Sequence, residues 1–121
     1  MEEKNDGIKA GFRTTENKGF WITFDNGVTV SVQFGCGNYC WNRDKDINPL
    51  KLKAVECPNA EVAVWDSKDY WITEFSPIGK DYGETAVVGY CNPNDVLRVL
   101  NWASKLTEEK LEKYRKILRN R

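Results

Sequence analysis

The octapeptide Phe34-Gly35-Cys36-Gly37-Asn38-Tyr39-Cys40-Trp41 holds residue types that serve three different chemistries. A Gly-x-Gly after an alternating segment opens the kind of loop that cradles phosphate through backbone N–H groups. Cys-x3-Cys resembles half of a zinc site, and the same two thiols are placed to close a disulfide across a turn. The surrounding sequence argues against all three. A dinucleotide fingerprint needs a third glycine and a helix after it, and neither follows Gly37. Zinc needs three or four converging ligands, whereas Cys57 and Cys91 are isolated and the chain has no histidine. The charged N-terminus lacks an apolar h-region, so an intracellular, thiol-reducing setting is expected. The four cysteines therefore read as packed thiols, and neither a metal nor a cofactor is expected.

Catalysis is poorly supplied for the same reason. Without histidine, a Ser or Cys nucleophile lacks its usual base, and the reaction its usual acid near neutral pH. The pairs Glu108/Glu109 and Asp44/Asp46 have simpler roles as helix-dipole and loop charges. Gly79-Lys80 lacks the rest of a P-loop, which leaves Lys80 a loop charge. No catalytic residue is nominated, and the chain is expected not to be an enzyme.

Aromatic and guanidinium chemistry is what remains abundant, with five Trp, five Tyr and five Phe in 121 residues. Trp21, Tyr39, Trp41, Tyr82 and Tyr90 are able to stack on a purine. Arg115 and Arg119, four apart on a helical pattern, are able to take two phosphate oxygens or stack on a base. Asn92 precedes a proline at a helix start, where free backbone N–H groups suit an anion. Eighteen basic and eighteen acidic residues cancel, which disfavours a DNA or RNA polymer as partner. The segment 107–121 nevertheless carries six basic residues against three acidic ones, enough for a small anionic ligand. No apolar run approaches the ~18 residues of a membrane span, so no membrane partner is expected.

The elements that must position these groups read as an α+β domain, an antiparallel sheet of N-terminal hairpins followed by two C-terminal helices. A single domain over 1–121 is expected, with strands in about 18–90 and helices in about 93–120. Gly19–Phe24 and Val28–Phe34 both alternate with period two around Asp25-Asn26-Gly27. A three-residue loop with Gly27 in the left-handed region pairs Phe20 with Val32, Ile22 with Val30 and Phe24 with Val28. That register leaves Trp21, Thr23, Thr29, Ser31 and Gln33 on the other face, a candidate binding or assembly surface. Leu50–Ala54 alternates again, Glu61–Trp65 and Tyr70–Phe75 read as a second hairpin across 66–69, and Thr85–Tyr90 as a last strand. Asn92-Pro93 and Thr107 start the helices, whose apolar stripes are Val96, Leu97, Val99, Leu100, Ala103 and then Leu111, Tyr114, Ile117, Leu118.

The hairpin GFWITFDNGVTVSVQFGCGNYCW, together with VVGYCNPNDV leading into the helix pair, resembles the first Thoeris anti-defence family of small phage-encoded proteins. The likeness covers most of the chain by order of elements, with its recognisable words in those two segments. It implies a β-rich N-terminal part, two terminal helices and an oligomer built from dimers, either a homodimer or a hexamer. It further implies non-destructive capture of glycocyclic ADP-ribose signals in the cytoplasm of an infected bacterial host, some members also holding cyclic trinucleotides at a separate site. The family's loop aromatic, helix-start asparagine and terminal-helix arginines fall on Tyr82, Asn92, and Arg115 with Arg119. Trp21 joins them as a stacking candidate, while Gly37 and Asn38 are implied as donors to a second nucleotide at an oligomer axis. The competing reading is a protein-binding inhibitor or structural module that uses the aromatic hairpin face.

Overall fold

The computed structural model describes residues 9–79 and 85–121. Lys80 and Tyr82 lie outside them. Five strands form one antiparallel sheet in sequential order: β1 (Gly11–Thr14), β2 (Gly19–Thr23), β3 (Thr29–Gln33), β4 (Ala60–Trp65) and β5 (Val88–Cys91). Two helices follow, α1 (Pro93–Ser104) and α2 (Glu108–Arg119). The architecture is the expected α+β one.

The first hairpin takes the expected register, with Phe20 opposite Val32 and Ile22 opposite Val30. Gly27 supplies the left-handed residue at φ 82°, and the Phe24 N–H donates to the Val28 carbonyl at 2.9 Å. Val30, Val32, Val62 and Val64 point from the central strands towards α1, whose Val99 and Ala103 are fully buried against them. Asn26 does more than turn the chain. Its Nδ2 donates to the carbonyls of Ala103 (2.8 Å) and Leu106 (3.0 Å), satisfying the end of α1 that helix geometry leaves unbonded. The first hairpin thereby fixes the turn between the helices.

Four sequence expectations need correction. The polar segment before residue 18 contains β1, because Glu16 and Asn17 both take left-handed backbone (φ 48° and 54°) in a tight turn closed by the Lys18 N–H to the Thr15 carbonyl. Leu50–Ala54 is not a strand. Asn48 accepts the Leu50 N–H and Pro49 starts a single 3-10 turn, so the alternating Leu50 and Leu52 both face solvent. The partner arm of the second hairpin shrinks to one bridge, Trp65 with Trp71, followed by a 3-10 turn at Thr73–Phe75. The Thr73 hydroxyl explains this, since it accepts the Val64 N–H at 2.9 Å and donates to the Ala86 carbonyl at 2.7 Å, standing in for ladder bonds. The last strand begins at Val88 rather than Thr85 and carries a bulge between its pairings with Ala60 and Val62.

That bulge anchors the octapeptide loop. Tyr90, at φ 57°, donates its N–H to the Tyr39 carbonyl at 2.9 Å, and a Cβ on Gly89 would sit 2.6 Å from the Tyr39 Cβ. Only glycine allows the loop this close.

Candidate functional site

Both helices are capped as their sequences require. Asn92 accepts the Asp95 N–H at 2.8 Å and returns its own N–H to the Asp95 carboxylate at 3.1 Å, a closed capping box. The carboxylate of Asp95, itself bonded by Arg98, therefore occupies the place that an anion would take at this helix start. Thr107 caps α2 by accepting the Lys110 N–H at 3.2 Å.

The terminal-helix arginines are engaged within the protomer. Arg115 is fully buried, its Nε donating to Asp66 at 2.7 Å and its Nη1 to Glu108 and Glu112. Asp66 is equally buried, and its other oxygen takes the N–H groups of Lys68 (2.9 Å) and Tyr70 (3.0 Å). Burial works to lower the Arg115 pKa, but the Glu108 and Asp66 carboxylates outweigh it and hold the guanidinium above its ordinary value. Its Nη2 has no hydrogen-bond partner among the described residues. Arg119 donates to Glu112 at 2.9 Å and to the Tyr70 hydroxyl at 3.4 Å. These bonds hold its pKa up, Tyr70 contributing most, and they draw that of Glu112 down. The expected pair of free guanidiniums is instead a clamp between α2 and the turn after β4.

Trp21 sits on the sheet face away from the helices, and two tryptophans absent from the sequence expectation join it. The Trp65 ring meets Trp21 edge-on at 4.9 Å and lies 5.2 Å from Trp71. Together they wall one end of a concave trough of about 580 Å³. Asn38 lines its other end, with its amide turned inward to the Gly35 N–H (2.9 Å) and to Glu61 (3.3 Å). Gly37 is exposed and faces open space. All four cysteines are free thiols, with Cys40 and Cys91 buried and Cys36 and Cys57 half-buried. No group of metal-ligating side chains occurs among the described residues. The structure thus brings Trp21 and Asn38 to one trough, keeps Asn92, Arg115 and Arg119 in separate internal networks, and leaves Tyr82 outside the described residues.

A second cavity, about 370 Å³, opens at the turn between the helices and was not nominated from sequence. Trp102, Leu106 and Tyr114 form its apolar wall, with the rings 6.2 Å apart and Tyr114 stacked on Phe75 at 4.3 Å. Lys105, Thr107 and Lys110 complete it. Glu108 and Glu112 are drawn to Arg115 and Arg119, neither lysine has an ion-pair partner among the described residues, and the Lys110 ammonium lies 5.9 Å over the Tyr114 ring. Among the described residues no carboxylate lines this cavity, and the positive end of the α2 dipole lies at its edge. The available signal was two lysines flanking a cap residue, between Trp102 of the first helix and Tyr114 of the second. An apolar aromatic wall beside two ammonium groups without carboxylate partners is chemistry able to hold a base or sugar beside a pyrophosphate.

Comparison with models of protein families, with curated proteins and with solved structures finds no match to this chain.

Proposed function

We propose that the protein is a non-enzymatic binder that sequesters a cyclic signalling nucleotide of the glycocyclic ADP-ribose class, acting in the cytoplasm of an infected bacterial host as a homodimer or hexamer. The observation that carries this reading is the cavity of Trp102, Tyr114, Lys105 and Lys110. Its volume lies within the ~300–1,000 Å³ usual for small-molecule sites. A pyrophosphate of about two negative charges matches two ammonium groups that have no ion-pair partner among the described residues. The purine gains the exposed flank of Trp102 as an apolar wall. Capture without turnover needs no acid, base or metal, in keeping with a chain that has no histidine. The resemblance of the first hairpin and of the Asn92-Pro93 helix start to the sponge family gives the ligand class, and cyclic trinucleotides are the second ligand to try.

The test incubates purified protein with glycocyclic ADP-ribose, removes free ligand, heat-denatures the protein and assays the supernatant. Intact signal should reappear on denaturation, and Lys105→Ala/Lys110→Ala should retain roughly a hundredfold less, two charge-assisted contacts being lost. Ligand that never leaves solution sinks the proposal. A chemically altered product points to an enzyme, and loss of partner binding in Trp21→Ala with no nucleotide retained points to a protein-binding module.

A further inference from the structure

The trough on the opposite sheet face has a different chemistry from the helix-turn cavity. Its floor is set by strand register, which places Ser31 between Trp21 and Ala63 and sets Gln33 beside Glu61. Small residues at the centre keep the floor flat, and Trp21, Trp65 and Trp71 rise at one end. Trp71 is the accessible ring, 47% exposed. Three carboxylates line the trough, from Glu16, Glu61 and Asp69, against one ammonium from Lys18. The Arg13 guanidinium lies 4.6 Å over the Trp21 ring.

Charge decides which ligands fit. A phosphate would face three carboxylates, and the Trp21 face that a cation would take already carries the Arg13 guanidinium. A neutral ligand meets neither penalty. The polar groups have spare capacity of both signs. Glu61 uses one lone pair on each oxygen for Asn38 and Tyr39, and Gln33 Nε2 spends one hydrogen on Ser31 at 3.2 Å. Groups that both accept and donate, beside an open indole face, match a pyranose, whose hydroxyls do both and whose C–H face is apolar.

We propose that this trough binds a neutral saccharide, one ring lying on Trp71 and its hydroxyls bonded by Asp69, Gln33 and Glu61. The inference goes beyond the nucleotide reading and stands independently of it, since no lining residue is shared. At about 580 Å³ the trough has the size of an ordinary small-molecule site.

Maltotriose, cellotriose and chitotriose serve as probes, titrated against intrinsic tryptophan fluorescence and saturation-transfer NMR. At least one should give a saturable response. Trp71→Ala should weaken it about tenfold or more, as loss of a central aromatic contact does. Asp69→Asn, which keeps the left-handed backbone at φ 63° and the side-chain shape, should weaken it severalfold. Lys105→Ala/Lys110→Ala should leave it unchanged. No saturable response to any of the three at tens of millimolar overturns the proposal, as does an unaffected Trp71→Ala. Saturation by choline alone assigns the trough to an organic cation, and displacement of the saccharide by glycocyclic ADP-ribose assigns it to the nucleotide. Either result also overturns it.

Discussion

Replacing Asp66 by Asn probes the clamp between α2 and the turn after β4. Asp66 and Arg115 are both fully buried, and the guanidinium's other carboxylates, Glu108 and Glu112, are 70% and 40% exposed at their side chains. Asparagine keeps an oxygen for the Lys68 and Tyr70 amides but turns an N–H2 group, rather than a carboxylate, towards Arg115 Nε. Arg115 stays charged, and Nη2 already has no hydrogen-bond partner among the described residues. Removing one member of a buried pair costs about 3–5 kcal/mol, a large share of the ~5–15 kcal/mol by which domains are stable. At about 4 °C per kcal/mol for a chain of this size, Tm should fall by roughly 12–20 °C. Urea denaturation followed by circular dichroism measures the loss directly. Adding Arg115→Met removes the orphaned charge and fills its volume, so Asp66→Asn/Arg115→Met should recover at least about 2 kcal/mol relative to Asp66→Asn. The reasoning fails if Asp66→Asn lies within about 1 kcal/mol of the parent, or if the double variant is no better than the single.

Three further outcomes follow from other contacts. Asn26→Ala removes both bonds to the Ala103 and Leu106 carbonyls and should cost about 1–3 kcal/mol in urea denaturation, with weaker nucleotide retention because the helix turn loosens. Gly89→Ala drives a methyl into the Tyr39 Cβ at 2.6 Å and should cost about 1–3 kcal/mol, with a change in Tyr39 contacts visible by NMR. Burial pushes the Cys91 thiol up to about 12, helped by the Asp95 charge, and pushes Cys40 up to about 11, Asn42 opposing and Cys57 assisting. Between an unfolded thiol pKa near 9 and these values, the unfolded chain binds fewer protons than the native one. Stability should therefore be complete below about pH 8.5 and fall as pH rises towards 11. Cys91→Ala should flatten that slope in urea titrations at successive pH, and an unchanged slope refutes the assignment.

Where a rule about local pattern was also the rule that packing enforced, the fold was legible. Phe20, Val30 and Val32 alternate, and the same alternation puts them in the core with Val99 and Ala103 of α1. Asn92-Pro93 and Thr107 carry their caps in their own side chains, so both helix starts lie where the residues say. Strand partners were less legible, because pairing is settled at long range. Tyr70–Phe75 has the composition of a strand, yet one hydroxyl, that of Thr73, supplies the bonds to Val64 and Ala86 that a ladder would have made. The turn at Glu16-Asn17 carries no glycine, so β1 gave no local sign of itself. Leu50 and Leu52 alternate without any partner to bury them.

The site was harder to read because function depends on which charges are left over after folding. Arg115 and Lys110 look alike in the sequence, both cations on one helix. Folding brings Asp66, forty-nine positions away, against Arg115 and draws Glu108 to the same guanidinium. That removes Arg115 from the surface and draws Glu108 away from the helix start, where Glu109 remains. Lys110 and Lys105 take no part in that ion pair and line the cavity instead, with Lys110 5.9 Å from the Tyr114 ring. It follows that Asp66→Asn/Arg115→Met, by releasing Glu108 from the guanidinium to turn towards Lys110, should weaken nucleotide retention per folded molecule while Arg119→Ala leaves it unchanged. Equal retention by folded Asp66→Asn/Arg115→Met and the parent would separate the cavity's charge from the clamp.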